Sequence, residues 1–302
     1  MKSERPFDNF LSLMIPAFQS HGSLLSDIQA MQQQTDGFHL WWLGQSGFLI
    51  QWQGKHLLFD PYLSDSLTKK YADTDKPHIR MSELVISPEK LDFIDLVTST
   101  HNHTDHLDGE TLIPLMQINP GLTLIIPEAN RQFVANRIGA DVDYPIGLTA
   151  GGSFEAHGIR LTAIPAAHEE LEVDESGCNK CVGYVAEFGP WCVYHSGDTM
   201  LYDGMLDYLN PFSIDLALLP INGRDPARRV AGNLNSEQAV WLGKQLGISC
   251  IIPCHYDMFT FNTADPNEFI QIAERERQGY AVLKIGERRS FIKASRTEIP
   301  LP

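Results

Sequence analysis

Between residues 101 and 108 the chain places three histidines and two aspartates in eight positions, His101-Asn102-His103-Thr104-Asp105-His106-Leu107-Asp108. A strand-like run, Phe93–Thr100, leads straight into it. Imidazole and carboxylate together suit zinc, manganese or iron. In an extended turn His101 and His103 lie on the same side and reach one ion, while Asp105 and His106 face a second. Such a cluster needs distant ligands to complete each coordination sphere, and a hydrolytic site keeps one position open for water. Three candidates follow apolar runs: His168 after Leu161–Ala167, Asp198 after Val193–Gly197 and His255 after Cys250–Cys254. The spacings are 62 residues from His106 to His168, 30 more to Asp198 and 57 more to His255.

The rest of the chain reads as a strand-rich α/β protein. Residues 1–36 form a polar, helix-prone extension, and residues 37–302 form the catalytic domain. Strand signals fall at Phe38–Leu43, Phe48–Trp52 and His56–Phe59, the last two joined by a Gly-containing hairpin turn at Gln53-Gly54-Lys55. Residues 64–90 are a long polar excursion of the kind that borders sites. Further strands are expected at Leu122–Pro127, Ile159–Pro165, Cys181–Glu187, Trp191–His195, Asp215–Pro220 and Cys250–Pro253. Ala281–Ile285 and Arg289–Ile292 are candidates to close the sheet. Helices are expected at Glu128–Ile138, at Ser236–Leu246 behind an Asn235 or Ser236 cap, and at Pro266–Gln278 behind Asp265.

Charge narrows the partners. Lys and Arg total 23 against 38 Asp and Glu, a formal charge of −15. Nucleic-acid binding needs cations to neutralise phosphates, and anionic membranes repel such a chain. Met1–Phe18 lacks the continuous apolar stretch of a signal peptide, and no apolar run reaches the roughly 18 residues of a spanning helix. Five cysteines, an odd and low count, fit a reducing compartment. A soluble cytoplasmic protein is the expectation.

His-x-His-x-Asp-His, a later His, a Gly-Asp at a strand end and a last His resemble the metallo-β-lactamase superfamily. The resemblance implies an αββα sandwich with two metals at one edge. It implies His101, His103 and His168 on the first metal, Asp105, His106 and His255 on the second, and Asp198 bridging both. Asp60 matches the family's aspartate beneath the site, there the partner of a ligand. Trp41-Trp42-Leu43-Gly44 with Gly47, Tyr194–Thr199, Asn235–Ala239, Ile252–Asp257 and Asp265-Pro266 resemble the L-ascorbate-6-phosphate lactonase group. That likeness implies one or two divalent ions, manganese by subfamily or zinc by superfamily, and a homo-oligomer. Redox members of the fold carry Glu where this chain has His103, together with a flavin domain.

The expected activity is metal-dependent hydrolysis that opens a lactone or ester of a small, anionic, phosphorylated sugar acid, a substrate class that rests mostly on the resemblance. Metal ions polarise the scissile group and lower the pKa of a bound water from roughly 15.7 toward about 7, so hydroxide exists at neutral pH. Asp105 would orient it and carry a proton to the leaving group. A phosphodiesterase acting on a small nucleotide or lipid head group is the alternative, because the same two-metal site serves in-line displacement at phosphorus. Arg224, with Arg228 and Arg229 close behind, reads either as an anion clamp or as salt bridges to the excess acid. Asn222 either holds that loop or donates to substrate. Tyr256 beside His255 either donates to a developing oxyanion or packs under the metal loop. Cys178-x-x-Cys181 has no second pair and reads as structural or incidental. His195 is expected to pack or to support a ligand, and His78 to be an ordinary surface or core residue.

Overall fold

The computed structural model describes residues 14–293. Helix α1 (His21–Met31) leads into three antiparallel strands, β1 (Phe38–Gly44), β2 (Gly47–Trp52) and β3 (Lys55–Phe59). The β2–β3 turn has Gln53 at φ 47° and Gly54 at φ 73°. Two consecutive positive φ values make a turn whose twist matches that of the strands it joins. After α2 (Ser66–Lys70) come β4 (Leu96–Thr98), α3 (Gly109–Ile118), β5 (Thr123–Pro127), α4 (Arg131–Ile138) and β6 (Ile146–Leu148). Strands β3 to β6 are mutually parallel.

The second half of the chain builds the other sheet. Strands β7 (Ser153–Ala156), β8 (Ile159–Pro165), β9 (Val182–Phe188) and β10 (Trp191–His195) run antiparallel. After α5 (Met205–Leu209), strands β11 (Leu216–Pro220) and β12 (Cys250–Cys254) continue parallel to β10, with α6 (Ser236–Gln245) between them. Helix α7 (Pro266–Glu276) follows, and β13 (Arg288–Phe291) returns to pair with β1 in the first sheet. The orders are β13-β1-β2-β3-β4-β5-β6 and β12-β11-β10-β9-β8-β7. This is an α/β fold with two mixed sheets.

The sheets meet through aromatic side chains. Phe38 on β1 packs edge-on against Phe188 and Trp191, with ring centroids 5.3 and 5.0 Å away. Phe59 on β3 stacks on His195 of β10 at 4.8 Å. Strands buried on both faces, such as β1 and β11, explain the continuous apolar runs in the sequence. Helix α1 is tied to the first sheet by Leu24 and Ile28 in the core and by Trp41 Nε1 donating to Asp27 at 2.8 Å.

Caps follow local chemistry. Asn235 caps α6, accepting from Gln238 N at 2.9 Å while Gln238 Oε1 accepts from Asn235 N at 3.1 Å. Asp265 caps α7 ahead of Pro266. Two strand expectations are corrected. Ala281–Ile285 is not a strand, because only Tyr280 bridges to Ile251. The strand expected at Phe93–Thr100 shortens to Leu96–Thr98. Among the described residues no helix is long and apolar enough to cross a membrane. All five cysteines are free thiols.

Candidate metal centre

Each candidate ligand stands at the C-terminal end of a strand. Asp60 follows β3, the His101–His106 loop follows β4, His168 follows β8, Asp198 follows β10 and His255 follows β12. Strands β8, β10 and β12 share one direction, so their ends meet at one edge of the sandwich. Gly197, at φ 59°, permits the approach there: a Cβ on it would lie 2.6 Å from Thr100 Cβ.

The loop after β4 is held from outside and below. Arg137 of α4 donates to the carbonyls of Asn102 at 2.8 Å and Leu107 at 3.0 Å. Asp108, the last acid of the cluster, is not directed at the ligands. It caps α3, accepting from Glu110 N at 3.3 Å, and also accepts from Ser64 Oγ and Thr111 Oγ1, each at 2.6 Å.

The structure brings the seven predicted side chains together. Ligand atoms of His101, His103 and His168 lie within 4.8 Å of one another, as do those of His101, His106 and Asp198, and those of Asp105, His106 and His255. Asp198 stands between the groups, with Oδ1 3.4 Å from His106 Nε2 and Oδ2 3.1 Å from His255 Nε2 and 3.6 Å from His168 Nε2. Several ring nitrogens are pinned from behind. His168 Nδ1 bonds to the Gly232 carbonyl at 2.9 Å, which leaves Nε2 turned inward. His106 Nδ1 donates to Asp60 Oδ2 at 2.7 Å. Asp60 is itself fully buried and accepts from Thr98 Oγ1 at 3.1 Å, from Thr100 N at 3.1 Å and from Thr100 Oγ1.

Electrostatics suit a cation. Burial, reinforced by the neighbouring imidazoles, holds His101 well below its ordinary pKa, so it keeps a free lone pair. Burial likewise lowers His168. Burial opposes charge on Asp198, yet His255 and His106 hold its carboxyl well below the usual range. Burial also opposes charge on His106, but Asp198, Asp105 and Asp60 outweigh it and raise its pKa well above normal. A metal held there by His106 would take the place of the Nε2 proton. His101 Nε2 is buried with no hydrogen-bond partner among the described residues, and His106 Nε2 and Asp198 Oδ1 have only their mutual ion pair at 3.4 Å. A buried group left without a partner costs about 1–3 kcal/mol. A divalent ion would satisfy all three, so the donor set fits one. Three residues around the centre hold left-handed backbone, Gln45 at φ 50°, Asp60 at φ 38° and His255 at φ 65°. Such conformations cost roughly 1–3 kcal/mol each and concentrate at functional sites.

A cleft of about 500 Å³ opens over the centre. The excursion after β3 supplies much of its wall: Leu67, Lys70, Tyr71, Lys76 and His78. His78 packs into this wall among aromatic rings. It stacks on Tyr71 at 4.2 Å and meets Phe259 and Phe261 edge-on at 5.3 and 4.6 Å. Lys70, Lys76, Arg137 and Arg229 are the lining cations.

Three predicted residues take other roles. Arg224 pairs with Glu169 at 2.8 Å and does not line the cleft, whereas Arg229 does, paired with Asp75 at 2.6 Å. Asn222 is buried and ties its loop together, donating to Asn262 Oδ1 at 2.9 Å and accepting from Asn233 Nδ2 at 3.0 Å. Tyr256 is buried, lies 4.4 Å from the Trp42 ring and donates its hydroxyl to the Leu283 carbonyl at 2.5 Å. With its only proton committed there, it is no oxyanion donor. His195 packs on Phe59 and bonds through Nε2 to the Ser46 carbonyl at 2.9 Å. Sequence reasoning missed Gln45, whose Nε2 lies 2.8 Å from Asp105 Oδ2.

The fold and this donor set define a metallohydrolase-type centre on a two-sheet sandwich. The description "Beta-lactamase superfamily domain" matches residues 39–255. A UPF0173 metal-dependent hydrolase from Methanosarcina mazei is 30% identical over 237 residues, covering 77% of this chain and 89% of the relative. The chain belongs to the metallo-β-lactamase superfamily and, within it, to the UPF0173 metal-dependent hydrolases. Solved structures share the fold. A metallo hydrolase from Ignicoccus hospitalis superposes with TM-score 0.62 at 24% identity, covering 85% of this chain and 99% of its own. An isothiocyanate hydrolase from Delia radicum gut bacteria gives TM-score 0.67 at 19% identity, covering 84% of this chain and 99% of its own.

Proposed function

We propose that this hydrolase opens a lactone or ester of a small anionic substrate, such as a phosphorylated sugar acid, with manganese or zinc in the centre. The supporting observation is the charge of the cleft. In a chain of net charge −15 the lining carries Lys70, Lys76, Arg137 and Arg229, while the carboxylates that line it among the described residues, Asp105 and Asp198, belong to the centre. Arg137 is committed to the ligand loop, which leaves Lys70 for an anion, while Lys76 and Arg229 reach one by releasing the Ala227 carbonyl and Asp75. The likeness to the ascorbate-6-phosphate lactonase group points to the same substrate class.

His101, His103 and His168 would hold one ion, and Asp105, His106 and His255 a second, with Asp198 shared. Bound there, divalent ions supply a Lewis acid for the scissile carbonyl and activate water near neutral pH. Asp105 is the proton carrier. Its Oδ2 is turned to the ligand set, 3.8 Å from Nε2 of both His106 and His255, which leaves Oδ1 to accept a proton from the attacking water. The water oxygen bonds to the carbonyl carbon, and the C–O bond of the ring or ester breaks. Asp105 then returns the proton to the departing alkoxide. Tyr71, His78, Phe259 and Phe261 line the cleft and limit water around the substrate.

The test is a hydrolysis panel on protein reconstituted with zinc and with manganese in parallel. Phosphorylated sugar lactones are paired with small phosphodiesters. Turnover of the lactones that disappears on chelation supports the reading. Turnover of phosphodiesters alone refutes the substrate class and favours displacement at phosphorus.

A further inference from the structure

We infer that Gln45 governs occupancy of the second metal position, the one framed by Asp105, His106 and His255, by turning its carboxamide oxygen to the ion. The inference rests on that ligand assignment. Gln45 is completely buried in the turn between β1 and β2. Its Nε2 lies 2.8 Å from Asp105 Oδ2 and 3.0 Å from His255 Nε2, two of the proposed donor atoms. Its Oε1 is buried and has no partner among the described residues.

A carboxamide presents donors on one side and an acceptor on the other, and half a turn about its last torsion exchanges them. An N–H facing Asp105 Oδ2 and His255 Nε2 is satisfactory only while no ion stands between those atoms. With an ion there, the N–H would point at a cation and the interaction would become repulsive. Half a turn puts Oε1 close to where Nε2 stood, about 3 Å from both donor atoms. The proposed ligand atoms are themselves spaced alike: His106 Nε2 is 3.8 Å from Asp105 Oδ2, and His255 Nε2 is 3.1 Å from Asp198 Oδ2. The same turn gives the orphaned Oε1 a partner.

The root of the side chain is fixed, so the amide can turn without the backbone moving. The Gln45 carbonyl accepts from Trp42 Nε1 at 3.0 Å and from the His255 amide at 3.1 Å, and its φ of 50° sets the exit direction of the side chain. His255 and Gln45 are thereby coupled through main chain and side chain alike. An amide oxygen is a hard ligand, which favours an oxygen-preferring ion such as manganese over zinc in this position.

The experiment is a titration of metal-stripped full-length protein with Co²⁺, followed by calorimetry and by the visible absorption of each bound equivalent. In Gln45→Leu the first equivalent should bind as in the parent. The second should weaken by roughly 10–100-fold, the usual effect of losing a group that supports a metal site. Gln45→Glu, which offers a charged oxygen at the same reach, should restore or tighten the second equivalent. Thermal melts of the metal-free variants check folding. Should the leucine variant not fold, Gln45→Asn retracts the same amide by one methylene and should lose the second equivalent selectively. Parent-like affinity for both equivalents in Gln45→Leu overturns the inference. So does a glutamate variant as weak as the leucine one, which would make Gln45 a packing residue. Asp105→Ala separates the two levels: if it leaves the second equivalent in place, the ligand assignment falls together with the inference.

Discussion

Asp60→Asn is the most informative perturbation of the centre. Asp60 adopts φ 38°, and asparagine tolerates left-handed backbone well, so the substitution changes hydrogen bonding and charge but not the main chain. The carboxylate now receives only donors: His106 Nδ1 and Thr100 Oγ1 at Oδ2, and Thr98 Oγ1 and Thr100 N at Oδ1. An asparagine must place an NH₂ on one of these sides. Facing His106, it favours the imidazole tautomer with its proton on Nε2, the atom turned toward Asp198, and the ring ligates only by moving that proton to Nδ1, against the NH₂. Facing Thr100 N, it sets donor against donor in a fully buried place. Either arrangement costs about 1–3 kcal/mol. At about 1.4 kcal/mol per factor of ten, metal affinity should fall roughly 5–150-fold. Competition against a chelator of known affinity reads this directly, with hydrolysis at saturating metal in parallel. Activity should return largely at high metal, since no ligand has been removed. An asparagine variant with parent affinity would refute the argument that Asp60 fixes the His106 tautomer.

Other substitutions discriminate between neighbouring roles. Arg229→Ala should raise KM for a phosphorylated substrate by roughly tenfold or more, as for loss of one charged hydrogen bond, whereas Arg224→Ala should change it little. Equal effects would return Arg224 to the cleft. Tyr256→Phe should leave kcat within about twofold and lower stability by about 1 kcal/mol by freeing the Leu283 carbonyl. A loss near the hundredfold typical of an oxyanion donor would contradict this. His56 is buried, which lowers its pKa from 6.5 to about 4. The unfolded chain therefore binds the extra proton between those values. Its contribution is complete above about pH 6.5 and declines as pH falls toward 4, by at most about 3 kcal/mol. Denaturant melts across that window should show a flatter pH slope in His56→Gln, and an unchanged slope would exclude His56 as a source.

The metal centre was legible because its signal is local. Four of its side chains lie between His101 and His106, and the distant three each follow an apolar strand, where a rigid scaffold presents its loops. Caps at Asn235 and Asp265 were legible for the same reason. What escaped depends on partners far along the chain. Ala281–Ile285 is apolar enough for a strand but has no continuous ladder to join. Strands β6 and β7 are short and half-exposed, and α3 carries Pro114 within it. Tyr256 is adjacent to a ligand in sequence, yet its hydroxyl is taken by Leu283. Of the arginines after β11, Arg229 rather than Arg224 lines the cleft, because the loop turns between them. Nothing in a lone glutamine marks Gln45 as a neighbour of Asp105 and His255.

The division of labour between the sheets has a consequence for how the protein is made. One sheet comes mostly from the first half of the chain and the other from the second, while β13 crosses back to β1. The proposed ligands are spread from His101 to His255. As the polypeptide leaves the ribosome, His101, His103, Asp105 and His106 emerge well before their counterparts on the second sheet. A nascent chain thus carries four of the seven proposed ligands before the other three are made. Only after residue 255 has emerged and both sheets have docked does the full donor set exist. Discrimination among ions by the full donor set therefore belongs to the finished sandwich, with His255 the last of the proposed ligands to arrive.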